Sequence, residues 1–455
     1  MNAGFAKMKI TPPLGTHLFG WGGRDLAHGC EGVNDDLFAR ALYLEHEGER
    51  ALVVAFDLLF FDRADADRIK GAIGRALDLA PRQVLLNCSH THDGPVVGSW
   101  AFAGYSNLRD GLYVDQLVAA TVSAAAQAAG AARPARVRAG CGRTSLPVSR
   151  RLLDAEGKAQ WAPNPTAPVC NDLPVALVED LAGRCVCLLF SVACHPSTLS
   201  GFAVSADYPG ATAGRLARRL GADVAAFLQG CGGDTKASVI ADGDGGATWR
   251  RGTPQDVEQA GEIVSADVMR TIAAGLKEFP PAVATAIQEM HLPLGPPPAP
   301  GELEKAAATG DDIRRLWARR QLQRIGRGLT LPATAGVLVQ AVQLARGVRL
   351  IALEGEPVAG FAPLIGRAFP KGVTFALGYS NGQGLYLPTE DMLPHGGYEV
   401  ESYHEYGWPA GLVPGYEAIL RRALAGFAAA HADERAEKMN HKGRKGHERK
   451  LKAQS

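Results

Sequence analysis

Short apolar runs alternate with amphipathic stretches along most of the chain. Buried strands are predicted where the apolar runs are short, at 51–56, 84–86, 186–192, 224–228, 337–344 and 348–353. Helices are predicted where apolar residues recur every three or four positions, at 63–79, 112–129, 209–220, 311–327 and 416–430. Strands separated by helices are typical of α/β proteins, so we expect mixed sheets that helices cover.

A proline-rich stretch divides this pattern. Residues 294–301 contain four prolines and follow a region without an internal repeat. We interpret the stretch as a crossing between two lobes of one catalytic domain (1–431), the lobes being about 1–293 and 302–431. Residues 432–455 are basic and nearly free of apolar side chains, so we expect a disordered tail there.

Composition excludes several classes of protein. The 455 residues are 46% apolar and 21% charged, which excludes a wholly disordered chain. Lys and Arg total 48 against 47 Asp and Glu, so the large basic excess of a nucleic-acid-binding protein is missing. We find no 18-residue apolar run and no secretory signal, and we expect no transmembrane segment. The eight cysteines lack C-x-x-C spacing, which favours buried thiols in a reducing cytoplasm; the composition is compatible with a homo-oligomer.

Histidines follow two of the predicted strands. His90 and His92 come directly after the strand at 84–86, and His195 closes the strand at 186–192. Alternate residues of an extended segment project to the same side, so His90 and His92 are predicted to face one cavity. Imidazoles from two strand ends suit a Zn²⁺ site, although histidines that merely complete hydrogen bonds at strand ends remain the alternative.

Three further segments carry candidate chemistry. The glycine-rich turn at 229–234 is suited to anions through its backbone N–H groups, but it lacks the nucleotide-binding spacing G-x-x-x-x-G-K. Glu354 and Glu356 each fit either a helix start or a metal ligand. Tyr386 and Tyr398 lie in a glycine-rich region and are either packing residues or a phenolate ligand and a proton donor.

In chain order, the motifs H-T-H-D-G-P, A-C-H-P, G-E-P and Y-x-x-T…G-G-Y-E resemble those of the neutral/alkaline non-lysosomal ceramidase family. The resemblance extends from about Phe5 to Leu424 and covers that family's catalytic domain. It implies one Zn²⁺ cofactor with four ligands, which are His90, His195, Glu356 and Tyr386. It also implies three catalytic residues, which are His92, Arg150 and Tyr398, with His92 polarising the scissile amide. Since these ligands come from both sides of residues 294–301, the two lobes must build one site.

The sequence departs from that family at the glycine-rich loop. Lys236 stands where the family has a serine that contacts substrate, so a serine-based mechanism does not transfer. We assign substrate binding to the loop residues Gly232, Gly233, Asp234 and Lys236. The added cation favours a substrate that is smaller and more polar than ceramide, with a carboxylate near the scissile amide. The alternative is that Lys236 pairs with Asp234 or points into solvent.

A second departure concerns the C-terminal region. Ceramidases carry an immunoglobulin-like domain after the catalytic part, whereas we expect only a helix (416–430) and the basic tail in the corresponding part of this sequence. We therefore expect a zinc-dependent hydrolase that cleaves the amide bond of a small-molecule substrate by metal-activated water, rather than ceramide at a membrane. Two other functions remain open at this stage: a zinc-dependent ester or phosphoester hydrolase, and a non-catalytic zinc-containing binding protein.

Overall fold

The computed structural model describes residues 1–98, 108–241 and 248–429. Its strands in chain order are β1 (Asn2–Lys9), β2 (Leu18–Phe19), β3 (Gly32–Val33), β4 (Phe38–His46), β5 (Glu49–Phe56), β6 (Val84–Cys88), β7 (Gly94–Pro95), β8 (Arg133–Arg143), β9 (Pro147–Leu153), β10 (Ala159–Asn164), β11 (Asp172–Asp180), β12 (Cys185–Val192), β13 (Ala203–Val204), β14 (Ala225–Gln229), β15 (Thr235–Ala237), β16 (Lys277–Phe279), β17 (Ala284–Pro293), β18 (Thr334–Ala345), β19 (Val348–Leu353), β20 (Glu356–Pro357), β21 (Val373–Leu377) and β22 (Tyr386–Leu387). Its α-helices are α1 (Arg63–Leu77), α2 (Gly111–Gly130), α3 (Asp207–Leu220), α4 (Pro254–Ala273), α5 (Pro300–Thr309), α6 (Asp312–Gly326), α7 (Phe361–Ala368), α8 (Tyr398–Glu401) and α9 (416–429).

Two mixed sheets form the centre of the molecule. The larger sheet has the order β14-β12-β11-β8-β1-β4-β5-β6, with β16 added beside β8, and the smaller has the order β17-β18-β19-β21. The pairs β12–β14, β5–β6 and β19–β21 are parallel, whereas the other pairs of these two sheets are antiparallel. The predicted α/β class with mixed sheets is therefore confirmed.

The sheets pack face to face between outer layers of helices. Along β5, Val53 belongs to the core shared with the smaller sheet, while its neighbour Val54 packs in the core beneath α1 and α2. The other half of the larger sheet is covered by α3 and α4, and the outer face of the smaller sheet by α7 and α9. The inner face of each sheet is thus covered by the other sheet, and the outer faces by helices.

The predicted elements agree with the structure within a few residues. Helix α1 ends at Leu77 rather than residue 79, because Asp78 adopts a left-handed conformation with φ 53°. Helix α4 was not predicted, although its sequence carries a signal: Thr253 and Asp256 form a reciprocal capping box at its start.

Hydrogen bonds tie the ends of the two sheets together. The Asn87 side chain donates to the Gly378 carbonyl (2.8 Å) and accepts from the Gln229 backbone N–H (2.8 Å). The Asn381 N–H donates to the Leu86 carbonyl (2.9 Å). The carboxyl ends of β6, β14 and β21 therefore meet, as expected for a site at strand ends. The two-lobe division remains a prediction, and the basic tail lies outside the described residues. None of the helices within the described ranges has both the length and the apolarity that a membrane span requires.

Candidate active site

A cavity of about 1150 Å³ opens where the two sheets meet. The loop after β6 contributes His90, the loop after β12 contributes His195, and the segment after β19 contributes Glu356. All three side chains are at least 95% buried. The structure therefore brings residues from both sides of the proline-rich stretch to one place.

His90 and His92 both line the cavity, but not through strand alternation. Strand β6 ends at Cys88, and His90 has a left-handed backbone with φ 69°. The turn places the ring centroids of His90 and His92 5.0 Å apart. The Nδ1–H of His90 donates to the Leu59 carbonyl (3.1 Å), which leaves its Nε2 directed at the centre of the site.

His195 is oriented in the same way. Its Nδ1–H donates to the Gly232 carbonyl (2.7 Å), so its Nε2 also faces the centre. Burial, followed by the nearby charge of Arg150, lowers the pKa of His195 to about 3. The imidazole is therefore neutral at physiological pH, the form in which histidine binds a metal.

Glu356 and Tyr386 are held side by side by a short parallel pairing. Strands β20 and β22 align Glu356 with Tyr386. The Oε2 atom of Glu356 lies 3.3 Å from His90 Nε2 and 3.6 Å from His195 Nε2, and the Tyr386 hydroxyl lies 3.4 Å from His195 Nε2. The four ligands that the resemblance implies thus converge.

This donor set fits a metal ion. Glu356 Oε2 and both ring nitrogens of His92 are buried and have no hydrogen-bond partner among the described residues. The donor nitrogens of His90, His92 and His195 all lie within 4.8 Å of one another. Buried polar atoms without partners are costly unless something binds them, and imidazole, carboxylate and phenolate donors suit Zn²⁺. His92 therefore fits either its predicted catalytic role or a place among the ligands.

Arg150 bridges the donor set and a buried carboxylate. It donates from one terminal nitrogen to the Tyr386 hydroxyl (2.8 Å) and from Nε to Glu399 Oε1 (2.8 Å), and the other terminal nitrogen lies 3.4 Å from His195 Nε2. Its guanidinium also stacks over the Trp161 ring at 4.1 Å. A fixed cation is thereby placed at the wall of the cavity beside the donor set.

Tyr398 lies at the partly exposed side of the cavity. Its hydroxyl donates to Glu405 Oε2 (2.9 Å), and its ring packs edge-on against Trp161 and Tyr386. Burial raises the pKa of Glu405 to about 7, so that carboxyl group is partly protonated near neutral pH. Tyr398 and Glu405 together form a hydrogen-bonded proton carrier at the cavity.

The glycine-rich loop divides into a buried part and one side chain that reaches the cavity. Gly232 accepts from the histidine after β12, Gly233 donates to the Pro357 carbonyl (2.9 Å), and Asp234 Oδ1 accepts from the Ala359 N–H (2.7 Å). These three residues are not among the described residues that line the cavity, whereas Lys236 is. Their contacts position the loop behind the histidine, and substrate binding by them stays a prediction.

Besides Trp161 and Glu405, four described residues around the donor set were not assigned from the sequence. They support the donor set or pack on it, and are Tyr379, Gln383, Glu399 and Tyr406. Tyr406 and Gln383 donate to Glu356 Oε1, and the Tyr379 ring lies 4.2 Å from that of His90. Glu399 follows Tyr398 within the G-G-Y-E motif, a signal that could have found it; Gln383 and Tyr406 carry no such signal.

The cysteines near the site are free thiols in apolar surroundings. Cys88, Cys194 and Cys231 belong to three separate core clusters, and the Cys194 thiol faces the His195 carbonyl oxygen at 3.8 Å. Burial raises the pKa of all three thiols, so each stays protonated and is a poor metal ligand.

We expect Cys194→Ala to bind as much zinc as the unmodified protein, because the thiol points into the core. Elemental analysis of metal-reconstituted protein measures this, with His195→Ala as the matched neighbour. Loss of zinc in Cys194→Ala together with retention in His195→Ala would reverse the ligand assignment.

Comparison with known proteins identifies the fold of this chain. No protein-family model matches the sequence, and no curated protein is significantly similar to it. Among solved structures, a ceramidase complexed with C2 superposes with a TM-score of 0.72 at 15% identity, covering 95% of this chain and 75% of that one. A neutral ceramidase from Pseudomonas aeruginosa superposes with a TM-score of 0.72 at 16% identity, covering 95% and 74%. The protein therefore has a ceramidase-like fold.

Proposed function

We propose that this protein is a zinc-dependent hydrolase that cleaves an amide bond of a small-molecule substrate. One observation carries the proposal: a buried Glu356 oxygen, which has no hydrogen-bond partner in the described part of the chain, faces the Nε2 atoms of His90 and His195 inside a large cavity. The ceramidase-like fold supports an amide, rather than another bond, as the target.

The metal would be bound by His90, His195, Glu356 and Tyr386. When bound, zinc would polarise the substrate carbonyl and lower the pKa of an attacking water toward about 7. The carbonyl oxygens of Leu59 and Gly232 fix the two imidazole rings for this role.

The remaining groups would stabilise charge and transfer a proton during amide cleavage. Arg150 and His92 line the cavity next to the donors and would stabilise the negative charge that develops on the carbonyl oxygen. Tyr398, hydrogen-bonded to Glu405, would pass a proton to the nitrogen of the leaving amine. Glu399 accepts from Nε of Arg150 and holds it in position while a terminal nitrogen donates to Tyr386.

The substrate we propose is smaller and more polar than ceramide. Lys236 supports this, because it adds a cation to a cavity wall that already carries Arg150. An anionic group on the substrate would be attracted to these charges.

The experiment is a substrate panel assayed with zinc-reconstituted protein. Matched N-acyl amides, esters and phosphoesters of one acyl chain length are compared, with ceramide included. We expect the amides to be cleaved most efficiently, with activity lost in His90→Ala and kept in His291→Ala, a histidine exposed on β17. Preference for esters or phosphoesters would favour a zinc-dependent ester or phosphoester hydrolase. Full zinc occupancy without any turnover would favour a non-catalytic binding protein.

A further inference from the structure

Lys236 is buried in the cavity wall without a carboxylate partner among the described residues. Its residue is 4% exposed, and pairing of β15 with β9 fixes its backbone beside Val148. Its ammonium lies 4.7 Å from the Trp21 ring and 5.5 Å from the Trp249 ring. A buried ammonium is costly unless an anion or hydrogen-bond acceptors satisfy it, and two indole faces replace only part of its hydration.

Asp234 and Asp207 are committed to backbone groups. Asp234 accepts from a backbone N–H after β20, and Asp207 accepts from the N–H groups of Thr198, Leu199 and Tyr208. The sequence alternatives for Lys236, a pair with Asp234 or exposure to solvent, are therefore not what the structure shows among the described residues. The ammonium is left facing the cavity.

An arginine pair beside this wall carries more positive than negative charge. Arg150 and Arg151 share one buried carboxylate, Glu399, so that cluster retains an excess positive charge. Burial, followed by the charge of Arg150, lowers the pKa of Lys236 to about 8, while Asp207 and Cys194 act in the opposite direction. Lys236 is therefore mainly protonated at pH 7.

Other parts of the cavity wall are apolar. Its apolar lining comes from the segments before β3 and after β5 and from helix α6, and includes Phe19, Leu26, Leu59, Phe60, Ile313 and Leu316. The indole of Trp21 contacts both the ammonium of Lys236, at 4.7 Å, and the ring of His92, at a centroid distance of 5.2 Å. An anion at Lys236 and a carbonyl held at the histidines would thus both lie in the surroundings of the same indole.

We propose that Lys236, between Trp21 and Trp249, forms an anion subsite that binds the carboxylate of an N-acylated amino acid whose hydrocarbon acyl chain lies along the apolar wall. The inference rests on the proposed amide hydrolase function and names its substrate class. In such a molecule the carboxylate is attached to the carbon next to the amide nitrogen, so both groups can lie near Trp21, which contacts Lys236 and His92. Cleavage adds water across the C–N bond and yields a fatty acid and a free amino acid.

The test separates binding from turnover. N-(octylsulfonyl)glycine, which has no hydrolysable amide, and its methyl ester are titrated calorimetrically into zinc-reconstituted protein. We expect the acid to bind at least about tenfold more tightly than the ester, because a charge-assisted hydrogen bond to a buried ammonium is lost in the ester. In Lys236→Met the two affinities should become equal.

Lys277→Met is the matched control, since Lys277 also lies over an aromatic ring but is exposed on β16. It should keep the preference. Equal affinities in the unmodified protein, or an undiminished preference in Lys236→Met, would overturn the subsite. Hydrolysis of N-octanoylglycine and its ester is measured in parallel. Turnover without preference for the acid refutes the subsite and retains the amide hydrolase. Tight, Lys236-dependent binding without turnover supports the subsite and refutes the hydrolase.

Discussion

Replacing His90 and His195 together with alanine should reduce bound zinc from about one ion per chain to less than about a tenth of that. Both Nε2 atoms face Glu356 Oε2, so the double change removes two of the four proposed donors and leaves too few to bind zinc tightly. Amide hydrolysis should fall by at least about a thousandfold, since the metal would no longer polarise the carbonyl. Elemental analysis after reconstitution measures the zinc, and circular dichroism shows whether the fold is kept.

Two further variants make this result specific. His291→Ala, on the exposed edge of β17, should keep its zinc. His92→Ala should keep zinc and lose turnover if His92 acts on the substrate, whereas loss of zinc would place its unpartnered ring nitrogens among the ligands. Full zinc in the double variant, or no transition metal in the unmodified protein, would contradict the proposed site.

Arg150→Met is expected to lower kcat by about a hundredfold to a thousandfold without loss of zinc. The guanidinium lies against Tyr386 and His195, where charge would develop during cleavage, and removing one such donor typically has an effect of this size. Glu399 does not become an unpaired buried charge in this variant, because Arg151 still donates to it. Steady-state kinetics and zinc content are the measurements.

Arg151→Met is the control from the adjacent position. Arg151 shares the Glu399 partner and donates to the Gly396 carbonyl (2.8 Å), but it is not among the described residues that line the cavity. Arg151→Met should lower the melting temperature of the protein, while its kcat should fall much less than that of Arg150→Met. If both variants lose kcat equally, the arginine pair stabilises the loop around Glu399 and Arg150 has no direct part in the chemistry.

The apolar pattern predicted strands such as β6, β12 and β19, which lead into the site, because residues that pack in a core must be apolar. Alternation in β5 and helical periodicity in α1 are local consequences of burial, so both are readable from the sequence. Contacts between loops that are distant in the sequence produce no periodic pattern of apolar residues. The bonds from Gln383 and Tyr406 to Glu356 depend on where three separate segments meet, and no local signal marks them.

Lys236 illustrates the same limit. Its closeness to Asp234 in the sequence suggests an ion pair, yet Asp234 precedes strand β15 and does not share a strand face with Lys236. Asp234 is fixed by the Ala359 N–H behind the site, while Lys236 turns toward the indole of Trp21. Only the tertiary structure separates these two environments.

The order of the two sheets along the chain has a consequence for biosynthesis. All strands of the larger sheet precede residue 280, whereas β18, β19 and β21, which share the core on its inner face, lie between residues 334 and 377. At a translation rate of about 5–20 residues per second, the stretch from residue 280 to residue 377 takes roughly 5–20 s to synthesise. During that interval the nascent chain can form a nine-stranded sheet with an apolar face still open. The yield of folded protein should therefore depend on how well ribosome-associated chaperones shield that face until the second sheet emerges.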